Sequence, residues 1–156
     1  MTFSQMETTK KGDLGEHIAT RYLRQQGWII YVNDVDAPHP IDLCGIIESQ
    51  ICLFDIKTKA RRRNYDDTGM DLSDWYHYHT LQQANPGVMV ILIWVDEVTG
   101  TIYGRSLNTL SDPSHCHVDG DIIYFNLDQM ATIATLTDEE IAQLGGNHAT
   151  VAVTAA

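Results

Sequence analysis

Two apolar runs of strand length, Pro40-Ile41-Asp42-Leu43-Cys44-Gly45-Ile46 and Ile51-Cys52-Leu53-Phe54-Asp55-Ile56-Lys57, flank a polar break at Glu48-Ser49. That pattern constrains the chain more than any other, because it reads as a β-hairpin. With the turn centred between Glu48 and Ser49, Ile46 pairs with Ile51, Cys44 with Leu53 and Asp42 with Asp55. Like charges are then placed face to face, where they repel. Side chains alternate along a strand, so Asp55 and Lys57 share one face while Phe54 and Ile56 share the other. Apolar residues on both faces mark an interior element, and interior charges are costly unless paired or bound to a cation. A hard divalent ion such as Mg²⁺ takes one or two carboxylates and keeps several waters, which suits this end of the hairpin. A purely structural ion pair of Lys57 with Asp55 or Asp42 would also account for these residues.

At 156 residues the chain is long enough for one domain with a sizeable core. It divides into a loose start at residues 1–11, a single domain at 12–144 and a tail at 145–156. No stretch approaches a membrane span and the first residues lack a signal-peptide core, so a cytoplasmic protein is expected. Three cysteines without paired spacing fit reduced thiols. The net charge of −11 argues against strong non-specific duplex binding, but it is unevenly spread. Residues 1–65 carry a net of +1 and residues 66–156 a net of −12. Half of the ten basic residues fall in one short window: Lys57, Lys59, Arg61, Arg62 and Arg63. The window starts at the acidic end of the hairpin, which favours a phosphate-contacting patch over a merely solvated loop.

Over residues 12–26, Leu14, Ile18, Ala19, Tyr22 and Leu23 recur at helical spacing and Gly27 follows as a stop. Glu16 falls on the rim of that stripe, where it could lean toward Asp42 or simply complement the helix dipole. Residues 28–32 are β-rich and residues 33–38 form a loop. Residues 64–72 are polar and irregular, a candidate mobile loop near substrate. A helix is predicted from Ser73 or Asp74 to Ala84. The eight-residue apolar run at 88–95 predicts a central strand covered on both faces. A further strand is expected at 101–106, loop at 108–120, an edge strand at 121–126, and a capping box at Thr137 opening a short helix. His115 and His117 with the cysteines lack the spacing of a structural zinc site.

Glu16 in the first helix, Asp42 in the second strand, Asp55-Ile56-Lys57 in the third, then a helix and a long apolar strand resemble the PD-(D/E)XK nuclease superfamily. The pattern is similar to that of archaeal Holliday-junction resolvases and small bacterial or phage nucleases. The resemblance implies an α/β (α+β) restriction-endonuclease-like αβββαβ core, a central mixed sheet flanked by helices. It implies a DNA endonuclease dependent on Mg²⁺ or Mn²⁺, with Asp42 and Asp55 as metal ligands. Glu16 and the Ile56 carbonyl would assist, and Lys57 would act on the attacking water as base or orienter. Lys59, Arg61, Arg62 and Arg63 would hold backbone phosphates, and a homodimer would serve a junction substrate. Ile41 between Pro40 and Asp42, and Asp55 in place of glutamate, depart from the commonest form of the signature. The rival is a catalytically inactive binding or regulatory module on the same scaffold, making protein contacts through its acidic second half.

Overall fold

The computed structural model describes residues 3–33 and 40–145. Helix α1 (Phe3–Gln25) precedes a hairpin-rich segment, β1 (Ile29–Val32), β2 (Leu43–Ile47) and β3 (Gln50–Thr58). Next come β4 (Asp67–Asp71), α2 (Leu72–Ala84), β5 (Val88–Asp96), β6 (Thr101–Ser106) and the short α3 (Leu107–Leu110). β7 (Cys116–Asp119), β8 (Ile122–Asn126), β9 (Ala131–Thr135) and α4 (Asp138–Gln143) complete the described residues. Six strands form the central sheet in the order β1-β2-β3-β5-β6-β9, and three form a second sheet in the order β4-β8-β7. Among the described strands only the β3–β5 pair is parallel, so the central sheet is mixed and α2 lies in the connection across it. This is the αβββαβ order with β4 inserted before α2.

The hairpin forms in the expected register, with Ile46 opposite Ile51 and Cys44 opposite Leu53. Glu48 takes a positive φ of 52° at the turn. One face of the sheet presents Leu43, Phe54, Ile56, Ile93, Val95 and Ile102 to α1 and α4. The helical stripe read from the sequence supplies the cover, since Ile18, Ala19 and Leu23 are buried there. Gly15 lets α1 approach β3 closely, because a Cβ at that position would collide with the Thr58 hydroxyl. The opposite face, with Val90, Leu92 and Trp94, packs against α2 and against Met70, Ile123 and Phe125 of the second sheet.

Several expectations change. Helix α1 starts at Phe3, so residues 3–11 are helical rather than loose. A nucleated helix extends at one hydrogen bond per residue without needing an apolar period, and Lys11 is tied to Glu97 by an ion pair. Residues 67–70 are buried strand and not mobile loop, because β4 pairs along its whole length with β8. Asp67 is tolerated inside because Arg62 meets both of its oxygens. β8 is the middle strand of its sheet, and its partner β7 lies in the stretch expected to be loop. The capping box forms as expected, Thr137 accepting from the Glu140 N–H while Glu140 accepts from the Thr137 N–H. The loop expected at 33–38 lies outside the described residues from Asp34, and the tail from Gly146. Among the described residues no helix is long and apolar enough to cross a membrane.

Candidate active site at the open end of the hairpin

Strand β2 begins one residue too late to place Asp42 squarely opposite Asp55. Asp42 lies in the bend before Leu43, and its N–H donates to the Phe54 carbonyl at 3.0 Å. Its carboxylate then turns back to the edge of β3, where Oδ2 accepts the Ile56 N–H at 2.6 Å. The side chain thus replaces the strand partner that β3 loses where β2 ends. The N–H and carbonyl of one strand residue project to the same edge, so the Ile56 carbonyl faces the gap beside Asp42.

Asp55 and Lys57 project from the opposite face to Phe54 and Ile56, toward α2. Asp55 is only 5% exposed. Its Oδ1 accepts from the Tyr78 hydroxyl at 2.5 Å, and Lys57 Nζ lies 3.2 Å from Oδ2 without the alignment of a hydrogen bond. Lys57 also donates to Asp74 Oδ2 at 3.1 Å. Asp74 and Tyr78 are four residues apart on α2 and therefore share one helix face. Burial pulls the Lys57 pKa down, but Asp55 and Asp74 together outweigh it and hold the ammonium above the ordinary lysine value. Burial first, then the carboxylates of Asp55, Asp74 and Asp42, push the Tyr78 phenol far above its ordinary value, so it remains a donor. The sequence pattern alone assigns neither Asp74 nor Tyr78 to this site. The signal available was their four-residue spacing on a helix that must cover β3.

The structure thus brings Asp42, Asp55 and Lys57 to one end of the hairpin. Glu16 belongs to α1, which covers the other face of the sheet. Among the described residues no three His, Cys, Asp or Glu side chains gather into a site able to hold a metal. The donor set still fits a hard cation: Asp55 Oδ2 is buried with no directed hydrogen bond, and Asp42 offers a second carboxylate.

The basic window is divided between two jobs. Arg62 forks onto Asp67, through Nε at 2.6 Å and Nη2 at 2.5 Å, and Arg61 pairs with the exposed Asp66 at 3.0 Å. Lys59 is exposed with its ammonium 3.3 Å from the Gly69 carbonyl, and Arg63 is exposed. Lys59 and Arg63 are the cations most open to a ligand.

No protein-family model and no curated protein matches the sequence. Among solved structures, the chain is similar to Hjc from Archaeoglobus fulgidus, a Holliday junction resolvase from an archaeal hyperthermophile. The superposition has a TM-score of 0.54 at 10% identity and covers 88% of this chain and 98% of Hjc. That likeness establishes a restriction-endonuclease-like, nuclease-type fold.

Proposed function

We propose that the chain is a metal-dependent nuclease that hydrolyses phosphodiester bonds in DNA as an endonuclease. The observation that carries this reading is Asp55 Oδ2, a buried carboxylate oxygen without a directed hydrogen bond, set beside Asp42 and Lys57 at the open end of the hairpin. Asp42 and Asp55 would hold Mg²⁺ or Mn²⁺, with the Ile56 carbonyl on the same edge and Glu16 recruited from α1. Such an ion, when bound, neutralises charge on the scissile phosphate and lowers the pKa of a coordinated water. Tyr78 fixes Asp55 through Oδ1 and leaves Oδ2 for the ion. Lys57, set between Asp55 and Asp74, would act on the attacking water as base or charged orienter. Lys59 and Arg63 would contact backbone phosphates, which sets register without reading bases. A second copy would make a homodimer through the edge strand β1, where Ile29, Tyr31 and Val32 are exposed. Sedimentation analysis of wild type against Tyr31→Glu checks it.

The decisive experiment is cleavage of linear, circular, single-stranded and branched DNA with and without Mg²⁺ or Mn²⁺, alongside calorimetric titration of the ion. Wild type should bind the ion and cleave, and Asp42→Ala should do neither. The rival, a binding module of the same fold, draws support from the double ion pair that occupies Lys57. It predicts neither ion uptake nor cleavage by wild type, with DNA or protein binding that survives Asp42→Ala.

A further inference from the structure

We propose that the outer face of the second sheet is a stacking platform for an unpaired nucleobase, built on Tyr65, Arg62, Tyr124 and His117. The inference rests on nucleic acid being the substrate and adds which form of it the protein prefers.

The four side chains form a continuous ladder. The Arg62 guanidinium lies over the Tyr65 ring at 4.1 Å and over the Tyr124 ring at 3.7 Å. Tyr124 in turn stacks on His117, its cross-strand partner, with centroids 5.3 Å apart and planes 23° from parallel. Two features show that the ladder is held in place. Asp67 anchors Arg62 by a two-point fork, which fixes the plane of the guanidinium. Gly69 lies opposite Tyr124 across the β4–β8 pair, and a Cβ there would come within 2.8 Å of Tyr124 Cδ1. The bare backbone leaves room for the ring to lie over β4 toward Arg62.

Tyr65 is the open ring at the Arg62 end of the ladder. Tyr65 is 60% exposed, with Arg62 against it and Arg63 exposed two residues away in sequence. An aromatic face backed by a guanidinium, beside a cation in solvent, has the elements that hold a base and its phosphate in single-stranded recognition. A duplex hides the faces of its bases within its own stack, so the matching ligand is a single strand, a frayed end or a splayed branch point. Arg63 is exposed two residues from Tyr65, and the exposed Asp66 next to the ring is paired with Arg61, which favours an anionic strand over a protein ligand rich in basic residues.

The test compares binding of a fluorescent oligothymidine with an abasic oligonucleotide of equal length and charge, in EDTA so that nothing is cleaved. Stacking of one base is worth about 1–3 kcal/mol, so wild type should prefer the oligothymidine by about 5- to 150-fold. Tyr65→Ala should lose that preference and Tyr65→Phe should keep it. A Tyr65→Trp variant should be quenched by the oligothymidine and not by the abasic strand. Equal binding of the two strands by wild type, or a preference that persists in Tyr65→Ala, overturns the proposal. The cleavage panel fails separately: a base preference without hydrolysis leaves the platform standing and removes the nuclease, and hydrolysis without a base preference does the reverse.

Discussion

Two buried aspartates, Asp67 in β4 and Asp55 in β3, are handled in opposite ways. Asp67, 4% exposed, has each oxygen in a short bond from one arginine, and tyrosine rings cover that arginine on both sides. Asp55, 5% exposed, has one oxygen tied by Tyr78 and the other facing a lysine that it shares with Asp74. The first pair is closed: both Asp67 oxygens are bonded by Arg62, and its work is to pin the second sheet. The second is open, with coordination capacity left over where β2 has stopped and Asp42 has turned inward. A buried ion pair is therefore informative about function only once its unsatisfied atoms are identified.

The largest effect that would break this contrast is on cleavage. Asp55→Asn and Lys57→Ala should each lower the rate by about 10²–10³-fold or more, the scale for losing one preorganised electrostatic contact. Circular dichroism should show both variants folded. A variant retaining full, metal-dependent cleavage would make the open site a structural pair like the closed one.

Next in size is the stability cost of removing each cation. Arg62→Ala strips Asp67 of both its bonds at once, whereas Lys57→Ala leaves Asp55 with Tyr78 and returns the half-exposed Asp74 to water. Chemical denaturation should show the larger loss for Arg62→Ala. The opposite ranking would mean that the open pair holds the fold and the closed one does not.

A smaller loss is expected for Tyr78→Phe, which deletes one hydrogen bond to a buried carboxylate. Bonds to charged groups contribute about 1.5–3 kcal/mol, and the unfolding free energy should fall by that order. Calorimetry of the same variant should show weaker Mg²⁺ uptake, since Asp55 is then free to rotate. Unchanged ion affinity would show that Tyr78 supports the fold without orienting the ligand.

How much of this contrast was legible in advance depended on whether the partners are local. The hairpin register followed from alternation and a polar turn, so Asp55 and Lys57 were placed on one face correctly. The covered strand β5, the span of α2 and the capping box followed from equally local signals. Asp67 was misjudged because its burial depends on Arg62, Tyr124 and a strand pairing with residues 122–126, none of which alters the polar character of its own segment. β9 was missed for the same reason: Ala131 to Thr135 has weak alternation and becomes a strand by pairing with β6. Glu16 is half-buried on α1 beside the buried Gly15, and helical periodicity does not say which sheet face the helix covers. Gly15 against Thr58 puts α1 on the face away from Asp55.

The smallest effect concerns the helix that supplies Tyr78. His79 packs edge-on to Trp75 at 4.6 Å, with Nε2 3.2 Å from the Ser111 hydroxyl. Burial holds its pKa below the ordinary histidine value, so the folded protein favours the neutral ring. As pH falls from about 6.5, the unfolded chain takes up a proton that the folded chain resists. The stabilising contribution is therefore complete above the ordinary value and disappears as pH drops through the lowered one. Thermal unfolding at about pH 7.5 and pH 5.5, on either side of the ordinary histidine value, should show a drop for wild type that is shallower in His79→Gln, where no ring takes up the proton. Because α2 carries Asp74 and Tyr78 to the open site, that acid softening should also weaken Mg²⁺ uptake more in wild type than in His79→Gln. Parallel pH dependences would mean that His79 is protonated as readily in the folded chain as in water, and that α2 is not packed as tightly over β3 as its contacts with Trp75 and Ser111 require.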